Sequence, residues 1–296
     1  MNGKTYISLF AGCGGSSLGY KLAGYKELLA IDNDKNSVET FKLNFPEVPI
    51  WQRDIRQIKS NEILEFCNIK KGELFLLDGS PPCQGFSLAG KKNISDSRND
   101  LAYEFLRLVE ELNPQVFVME NVPGMIRGNL KGLFNDIMNK MKSMDYNIKC
   151  KLLNAKYYNV PQDRERLFWI GLKKDLGIIP TFPTPSMDTI SVRKAFENLE
   201  NKTYHKGKIS NRQKQDRLHW ERPATVLIKV ANSIRSSCVI HPKEDRHLTI
   251  EEAKRLCSFP DDFKLTGSFS EQWARLGNAV MPNMMKAIAK EIYGKI

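Results

Sequence analysis

Long apolar segments are missing from this sequence of 296 residues. No run of apolar side chains reaches the roughly 18 residues that a membrane-spanning helix needs. Hydrophobic residues make up 41% of the chain and charged residues 27%, as in globular proteins. Residues 1–4 lead directly into a strand-like segment, without the apolar stretch or the cleavage site of a signal peptide. The sequence therefore predicts a cytoplasmic protein that makes no membrane contact.

Cysteine and histidine are too sparse and too scattered for a metal site. The cysteines stand at positions 13, 67, 83, 150, 238 and 257, and none belongs to a C-x-x-C pair, which argues against structural zinc. Among the four histidines, His241 and His247 are six positions apart and show no metal-binding pattern. A reducing cytoplasm also argues against disulfides. We predict no metal cofactor, and we expect each thiol to be free and buried unless its surroundings indicate otherwise.

Acidic residues are too few to balance the basic ones, and the net charge is +11. Between Lys173 and Arg246, 15 Lys and Arg stand against 8 Asp and Glu, a net charge of +7 in a quarter of the chain. Within this region, the segment Lys202–Arg217 carries six basic residues and one acidic residue. Such a segment is either a solvated surface loop or a face that binds a polyanion.

Strand-like and helix-like patterns alternate over the first 172 residues. The strand candidates are Thr5–Phe10, Glu27–Asp32, Glu73–Asp78, Gln115–Glu120 and Arg166–Leu172. Amphipathic segments with helical spacing separate them. This alternation predicts an α/β fold with a parallel sheet and helices on both faces, in which ligands bind beyond the carboxyl ends of the strands.

The alternation stops near Lys173, where prolines 180, 183 and 185 suggest a linker. A polar, basic and irregular region follows, and a helix begins again near Thr249, with Thr249 as N-cap and Glu252 completing a capping box. No internal repeat is apparent. The predicted divisions are a first domain over 1–175, a second lobe over 176–246, and a C-terminal segment over 247–296 that returns to the first domain.

A glycine-rich loop, SLFAGCGGSSLGY, follows the first strand candidate. Glycines such as Gly12 and Gly14 let a ligand approach the backbone near the start of a helix. Asp32 ends the next strand, 18 residues after Gly14, where a carboxylate commonly accepts hydrogen bonds from ribose hydroxyls. Ser17 stands where the dinucleotide pattern G-x-G-x-x-G requires its third glycine. The loop is therefore either a tight turn or a site for a nucleoside cofactor without pyrophosphate, such as S-adenosylmethionine.

Cys83 differs from the other cysteines because Pro81 and Pro82 precede it. Two prolines restrict the backbone, and a nucleophile must be held near its target. Glu120 follows an apolar strand, where burial would raise its pKa and suit it to proton sharing. The alternative for Glu120 is a carboxylate that caps the following turn.

Arg164 and Arg166 stand two positions apart at the start of a strand candidate. Residues two apart in a strand point to the same side, so both guanidiniums are predicted to face one anion or carbonyl. An ordinary exposed edge strand is the alternative.

Five motifs together resemble the cytosine-5 DNA methyltransferase family of the bacterial and phage restriction-modification type. They are F-x-G-x-G at Phe10–Gly14, G-S-P-P-C-Q-G-F-S at Gly79–Ser87, M-E-N-V at Met119–Val122, Q-x-R-x-R at Gln162–Arg166 and R-L-G-N-A-V at Arg275–Val280. The resemblance runs from residue 5 to about residue 290. It implies a Rossmann-like S-adenosylmethionine-dependent methyltransferase sheet, with a small, mostly irregular or β target-recognition lobe over 176–246.

The resemblance also implies a reaction, the transfer of a methyl group from S-adenosylmethionine to carbon 5 of a cytosine flipped out of the duplex. Cys83 would add covalently to carbon 6 of the ring. Glu120 would hydrogen-bond N3 and the amino group, and Arg166 would hold O2. Arg164 would either place the backbone of the flipped nucleotide or orient Glu120.

Binding residues follow from the same resemblance. The implied cofactor residues are Phe10, Gly12, Gly14, Asp32, Asp54, Pro82, Asn278 and Ala279. Where the family often has tryptophan after the ribose-binding acid, this chain has Asn33. The implied DNA contacts are Gln84, Ser87 and Thr225.

The implied partner is double-stranded DNA. One chain carries the full set of motifs, so a monomer suffices; no obligate protein partner is implied, and a cognate restriction endonuclease stays open. A tRNA cytosine-5 methyltransferase of the same family is one alternative. A DNA-binding or cofactor-binding module without catalysis is another, but it predicts a damaged site, whereas Cys83, Glu120 and both arginines are present.

Overall fold

A central sheet organises the computed structural model, which describes residues 4–82, 100–126, 131–199, 215–229 and 238–296. Its seven strands are β1 (Thr5–Leu9), β2 (Lys26–Asp32), β3 (Ile50–Gln52), β4 (Leu76–Gly79), β5 (Val116–Asn121), β6 (Tyr146–Asn154) and β7 (Glu165–Lys173). Their order across the sheet is β3-β2-β1-β4-β5-β7-β6. Strands β1 to β5 are parallel, and β7 runs antiparallel to both of its neighbours. The predicted α/β fold is confirmed.

The expectation of a wholly parallel sheet is wrong at β7. Strands β6 and β7 are joined by residues 155–164, which hold one 3-10 turn, Ala155–Tyr157. This connection is too short for the crossover that two neighbouring parallel strands need. The sequence prediction also missed β6, because it is an edge strand whose side chains alternate imperfectly and include the exposed Lys149 and Lys151.

Helices cover both faces of the sheet, as the alternation predicts. They are α1 (Gly15–Leu22), α2 (Lys35–Asn44), α3 (Ser60–Cys67), α4 (Asp100–Leu112), α5 (Lys131–Ser143), α6 (Val192–Ala195), α7 (Ile250–Leu256), α8 (Phe269–Asn278) and α9 (Pro282–Tyr293). One apolar core joins the sheet to α1, α2 and α7 to α9, and a second joins it to α3, α4 and α5. Among the described residues, no helix is both long enough and apolar enough to cross a membrane.

The C-terminal helix α9 packs directly on α1. A Cβ atom added at Gly19 would lie 2.6 Å from Met285 Cβ and 2.7 Å from the Pro282 carbonyl oxygen, so only glycine allows this approach. The Tyr25 hydroxyl donates to the Ala289 carbonyl at 3.0 Å. The last helix of the chain therefore lies beside the first.

Strands β8 (Gln215–Arg217) and β9 (Cys238–Ile240) form a separate two-stranded parallel sheet. The following segment is tied to α7 by a buried ion pair, in which two nitrogens of Arg246 contact the two carboxylate oxygens of Glu252 at 2.7 and 2.8 Å. The predicted capping box of α7 is confirmed, since the Thr249 hydroxyl accepts from Glu252 and the Thr249 amide donates to the Glu252 carboxylate.

Candidate active site

The carboxyl ends of β1, β2, β4 and β5 meet at one edge of the sheet, because these strands are parallel neighbours. Phe10 follows β1, Asp32 ends β2, and Pro82 lies three residues beyond β4. Glu120 is the second-last residue of β5. The structure thus brings these four predicted site residues to the same edge.

The loop after β1 has the backbone that its glycines suggested. Gly12 and Gly14 have φ of +56° and +94°, and Phe10 also lies in the left-handed region at +58°. A Cβ atom at Gly14 would meet the Phe45 ring at 2.3 Å, whereas one at Gly12 would have no described atom within 4 Å. Gly14 is required by packing, and the space at Gly12 is open to a ligand.

Asp32 holds this loop through its carboxylate. Its Oδ2 accepts from the Gly12 amide at 2.7 Å, and its Oδ1 accepts from the Asp34 amide at 2.8 Å. Burial raises the pKa of Asp32 above its ordinary value, although these amide hydrogen bonds oppose the rise. A carboxylate has about four acceptor positions, so Asp32 keeps capacity for ligand hydroxyls.

Asp54 lies beyond the neighbouring strand β3, whose last residue pairs with Asp32. Its carboxylate caps a 3-10 turn by accepting from the Arg56 amide at 3.0 Å, and it also contacts Arg56 Nη1 at 3.0 Å. The side chain is partly exposed. Asp54 therefore lies one strand away from Asp32 at the same edge.

The C-terminal motif reaches the loop from the other side. Asn278 ends α8 and is exposed, and Ala279 follows it. A Cβ atom at Gly15 would lie 2.3 Å from the Val280 carbonyl oxygen and 3.3 Å from Ala279 Cβ. The segment is therefore packed against the start of α1, and it joins residues about 260 positions apart in the sequence.

The buried Glu120 and the partly buried Arg166 form an ion pair at the end of β5. Arg166 Nε lies 2.9 Å from Glu120 Oε1, and the Ser80 side chain also hydrogen-bonds Glu120. Burial raises the pKa of Glu120 above its ordinary value, whereas Arg166 and Arg164 oppose the rise. The direction agrees with the expectation from the sequence.

Arg164 is fully buried but points elsewhere. Its Nη1 donates to the Leu227 carbonyl at 2.9 Å, and its Nη2 donates to the carbonyls of Gly277 and Ala279 at 2.7 and 3.3 Å. Strand β7 begins only at Glu165, so strand alternation does not govern Arg164. Burial lowers the pKa of Arg164 to about 9. The guanidinium joins three chain segments, whereas its roles toward the nucleotide or Glu120 stay predictions.

Gln162 and Asn121 are two buried amides to which the sequence reasoning assigned no role. Gln162 accepts from the Leu227 amide at 3.3 Å and donates to the Leu256 carbonyl at 3.3 Å. Asn121 donates to the Pro81 carbonyl at 3.0 Å and so holds the segment that leads to Pro82. Gln162 belongs to the Q-x-R-x-R motif and Asn121 to the M-E-N-V motif, and this membership was the sequence signal that pointed to them.

Three predicted residues, Cys83, Gln84 and Ser87, lie outside the described part of the chain. Thr225 is exposed, beside Ala224, whose amide donates to the Pro161 carbonyl at 2.9 Å. Over the described ranges, no group of three or more His, Cys, Asp or Glu is arranged to hold a metal ion.

Comparison with known proteins gives consistent matches. A family model described as C-5 cytosine-specific DNA methylase matches residues 4–225 and 187–294. The Type II methyltransferase M1.HphI of Haemophilus parahaemolyticus is 33% identical, over 97% of this chain and 86% of the relative. The Type II methyltransferase M.HindV of Haemophilus influenzae is 34% identical, over 97% of this chain and 95% of the relative.

Solved structures share the whole architecture. An Escherichia coli protein encoded within a prophage and described as a DNA modification methyltransferase is 26% identical. It covers 98% of this chain and 99% of its own, with a TM-score of 0.83. DNMT2 of Spodoptera frugiperda, at 19% identity and a TM-score of 0.77, shares the fold over 98% of this chain and 99% of its own.

Proposed function

This chain belongs to the C-5 cytosine-specific DNA methylase family, and from that membership we propose that it methylates carbon 5 of a cytosine within a short, specific sequence of double-stranded DNA. It is an enzyme of the restriction-modification type, because relatives that align with nearly the whole chain are Type II methyltransferases. The same relatives favour DNA over the tRNA substrate that the sequence left as an alternative.

The Glu120–Arg166 pair, beside the anchored residues Ser80 and Pro81, carries the proposal. Ser80 hydrogen-bonds Glu120, and Asn121 donates to the Pro81 carbonyl. Two consecutive residues that follow β4 are therefore tied to the end of β5. The residue after Pro82 in the chain is Cys83. A carboxyl group, a cation and a thiol are the groups that attack on a cytosine ring requires.

Cytosine carbon 5 is too weak a nucleophile to take a methyl group unaided. In the proposed reaction, the Cys83 thiolate bonds to carbon 6, and the electrons of the C5–C6 double bond move into the ring, which makes carbon 5 nucleophilic. S-adenosylmethionine would supply the methyl group to carbon 5, with cleavage of the sulfur–methyl bond and release of S-adenosylhomocysteine. After transfer, carbon 5 loses its proton to water, and the Cys83–carbon 6 bond breaks to restore the double bond and the thiolate.

Glu120 stabilises the negative charge that moves toward N3 during thiol addition. A carboxyl group whose pKa is raised by burial is better suited to share a proton with N3 than an exposed one. Arg166 is assigned to the ring O2, where its cation opposes the same developing charge. Its contact with Glu120 keeps both groups in place before the base arrives.

The residues at the glycine loop fit S-adenosylmethionine. Open space at Gly12 admits the ligand, and the free acceptor positions of Asp32 suit ribose hydroxyls. Phe10, which follows β1, and Asp54, which follows β3, are assigned to the same cofactor from the two sides of β2. The other residues assigned to S-adenosylmethionine binding are Gly14, Pro82, Asn278 and Ala279.

The basic region over 176–246 is assigned to target recognition, between a catalytic domain over 1–175 and a returning segment over 247–296. Its excess of positive charge suits the phosphate backbone of DNA. The buried contacts of Gln162 and Arg164 with Leu227 support a fixed attachment of this region to the site. One chain supplies the site residues, which supports action as a monomer, and Gln84, Ser87 and Thr225 are assigned to DNA contacts.

Methyl transfer to duplex DNA and to tRNA, each with bisulfite sequencing of the product, tests this proposal. We expect 5-methylcytosine in DNA at one short sequence, and activity on tRNA alone would contradict the DNA assignment. Cys83→Ala should abolish transfer and leave cofactor binding unchanged. Cys67→Ala is the matched control, because Cys67 ends α3 away from this edge. Retained turnover in Cys83→Ala would refute the nucleophile.

A further inference from the structure

Helix α1 packs against the sheet partly through hydroxyl groups. Ser16, Ser17 and Tyr20 are buried, and they face carboxyl groups of the strands below. The Ser17 hydroxyl donates to Glu27 at 3.1 Å, and the Tyr6 hydroxyl donates to the other oxygen of Glu27 at 2.7 Å. None of these groups has a role in the proposed reaction, although α1 directly follows the cofactor loop.

Asp78 is a buried carboxyl group of this network and lies in the middle of the sheet. It lies in the central strand β4, opposite Ser8 of β1 and Val118 of β5, and its exposed fraction is 2%. The Tyr20 hydroxyl donates to Asp78 Oδ1 at 3.1 Å, and the Ser16 side chain is a second hydrogen-bond partner. Two side chains of one helix therefore converge on one buried carboxyl group.

The position of Asp78 in the chain connects two parts of the site. Ser16 is four residues after Gly12, in the first turn of α1. Asp78 is two residues before Ser80, which contacts Glu120, and three before Pro81, which Asn121 holds. Asp78 is thus a few covalent bonds from the segment that leads to Cys83, and its hydrogen-bond partners are equally close to the cofactor loop.

A contact that only held α1 on the sheet would not need these groups. Burying a carboxyl group is unfavourable, and apolar side chains of similar volume stabilise a helix–sheet contact at least as well. Leu76, two residues earlier in the same strand, is such an apolar residue in the same core. Directional hydrogen bonds, by contrast, fix the position of a helix relative to one strand end.

We propose that Asp78 is a positioning residue that, through Tyr20 and Ser16, couples the glycine-rich loop after β1 to the segment Ser80–Pro82, which precedes Cys83 in the chain. The inference rests on the proposed function, because it takes the glycine loop as the cofactor site and Cys83 as the nucleophile. Occupation of the glycine loop then fixes α1, and Asp78 passes that constraint to the end of β4. Cofactor binding thereby controls the reactivity of the thiol before DNA is engaged.

The rate of Cys83 alkylation by iodoacetamide, followed by peptide mass spectrometry with and without saturating S-adenosylhomocysteine, tests this coupling. We expect the ligand to slow alkylation about fivefold or more in the unaltered protein. In Tyr20→Phe the slowing should largely disappear, while the Kd for S-adenosylhomocysteine stays within about twofold. Tyr25→Phe is the matched control, because its ring is 5.3 Å from Tyr20 but its hydroxyl bonds α9.

The coupling would be overturned if S-adenosylhomocysteine slowed alkylation of Cys83 to the same extent in Tyr20→Phe as in Tyr25→Phe. A loss of S-adenosylhomocysteine binding in Tyr20→Phe would overturn it as well. Ser16→Ala removes the second hydrogen bond with a smaller change of volume. If Tyr20→Phe does not fold, unchanged slowing in Ser16→Ala overturns the proposal. The assay needs no turnover, so a failure of the proposed function would appear separately, as an unaltered protein that methylates no cytosine.

Discussion

Replacing Asp78 by asparagine should change how stability depends on pH. Burial raises the pKa of Asp78 to about 8, whereas an unfolded aspartate ionises near pH 4. A raised pKa means that the stabilising contribution is fully present below the unfolded pKa and is lost as pH rises through the folded pKa. At pH 6 the folded protein still carries the Asp78 proton, whereas the unfolded chain has already lost it. Raising the pH above 6 therefore destabilises the folded state until Asp78 ionises there too.

The magnitude follows from the distance between pH 6 and a folded pKa of about 8. Each pKa unit corresponds to about 1.4 kcal/mol, so the free energy of unfolding should fall by about 3 kcal/mol between pH 6 and pH 9 through this group alone. Asparagine has no proton to lose and keeps an oxygen for the Tyr20 hydroxyl. Asp78→Asn should gain about 3 kcal/mol relative to the unaltered protein over this range.

Urea denaturation of both proteins at pH 6, 7, 8 and 9 measures this difference. Among the described residues, the ionisable groups that act on this cluster include Tyr20 of α1, Tyr6 of β1, Glu27 of β2 and Glu120 of β5, and both proteins share them. Their titration therefore cancels to first order in the comparison. A difference in unfolding free energy that stays constant with pH would refute the reasoning, because it would mean that Asp78 is ionised throughout.

Two further predictions concern packing and catalysis. Gly19→Ala should lower the free energy of unfolding by about 1–3 kcal/mol, because its Cβ would lie 2.6 Å from Met285 Cβ. Urea denaturation measures this change. Gly132→Ala is the control: its Cβ would meet open space, so this variant should stabilise the protein by up to about 1 kcal/mol. Glu120→Gln should lower kcat for methyl transfer by about 10²–10⁴. Glu110→Gln, at an exposed ion pair on α4, should leave kcat unchanged, and equal losses would contradict the assignment.

Strands β1, β2, β4 and β5 were predictable because each contains an apolar run, which in β2, β4 and β5 leads to an acidic residue. Strands β3 and β6 lie at the two edges of the sheet, where only part of the side chains is buried, so no clear period marks them. The direction of β7 depends on the length of one connection, which hydropathy does not report. Fold class therefore followed from the sequence, and strand direction did not.

Within the site, the residues at strand ends were predictable because parallel topology brings those ends together. The different surroundings of Arg164 and Arg166 were not predictable from the sequence, because Arg164 contacts the carbonyls of Leu227 and Gly277, which lie far along the chain. The tie between Asp78 and Tyr20 also crosses from a strand to a helix 58 positions earlier. Such pairs depend on tertiary packing, which local patterns do not encode.

The reversed direction of β7 decides which of its residues can take part in chemistry. In the parallel strands the last residues reach the site, but in β7 the site receives the first, and Arg166 is the second of nine. Were β7 parallel to β5, Arg166 would lie near the opposite edge, about 20 Å from Glu120 at roughly 3.3 Å per residue. Because β7 is reversed, the chain places the Arg166 cation at the site where the strand begins, and the strand then ends at the opposite edge of the sheet.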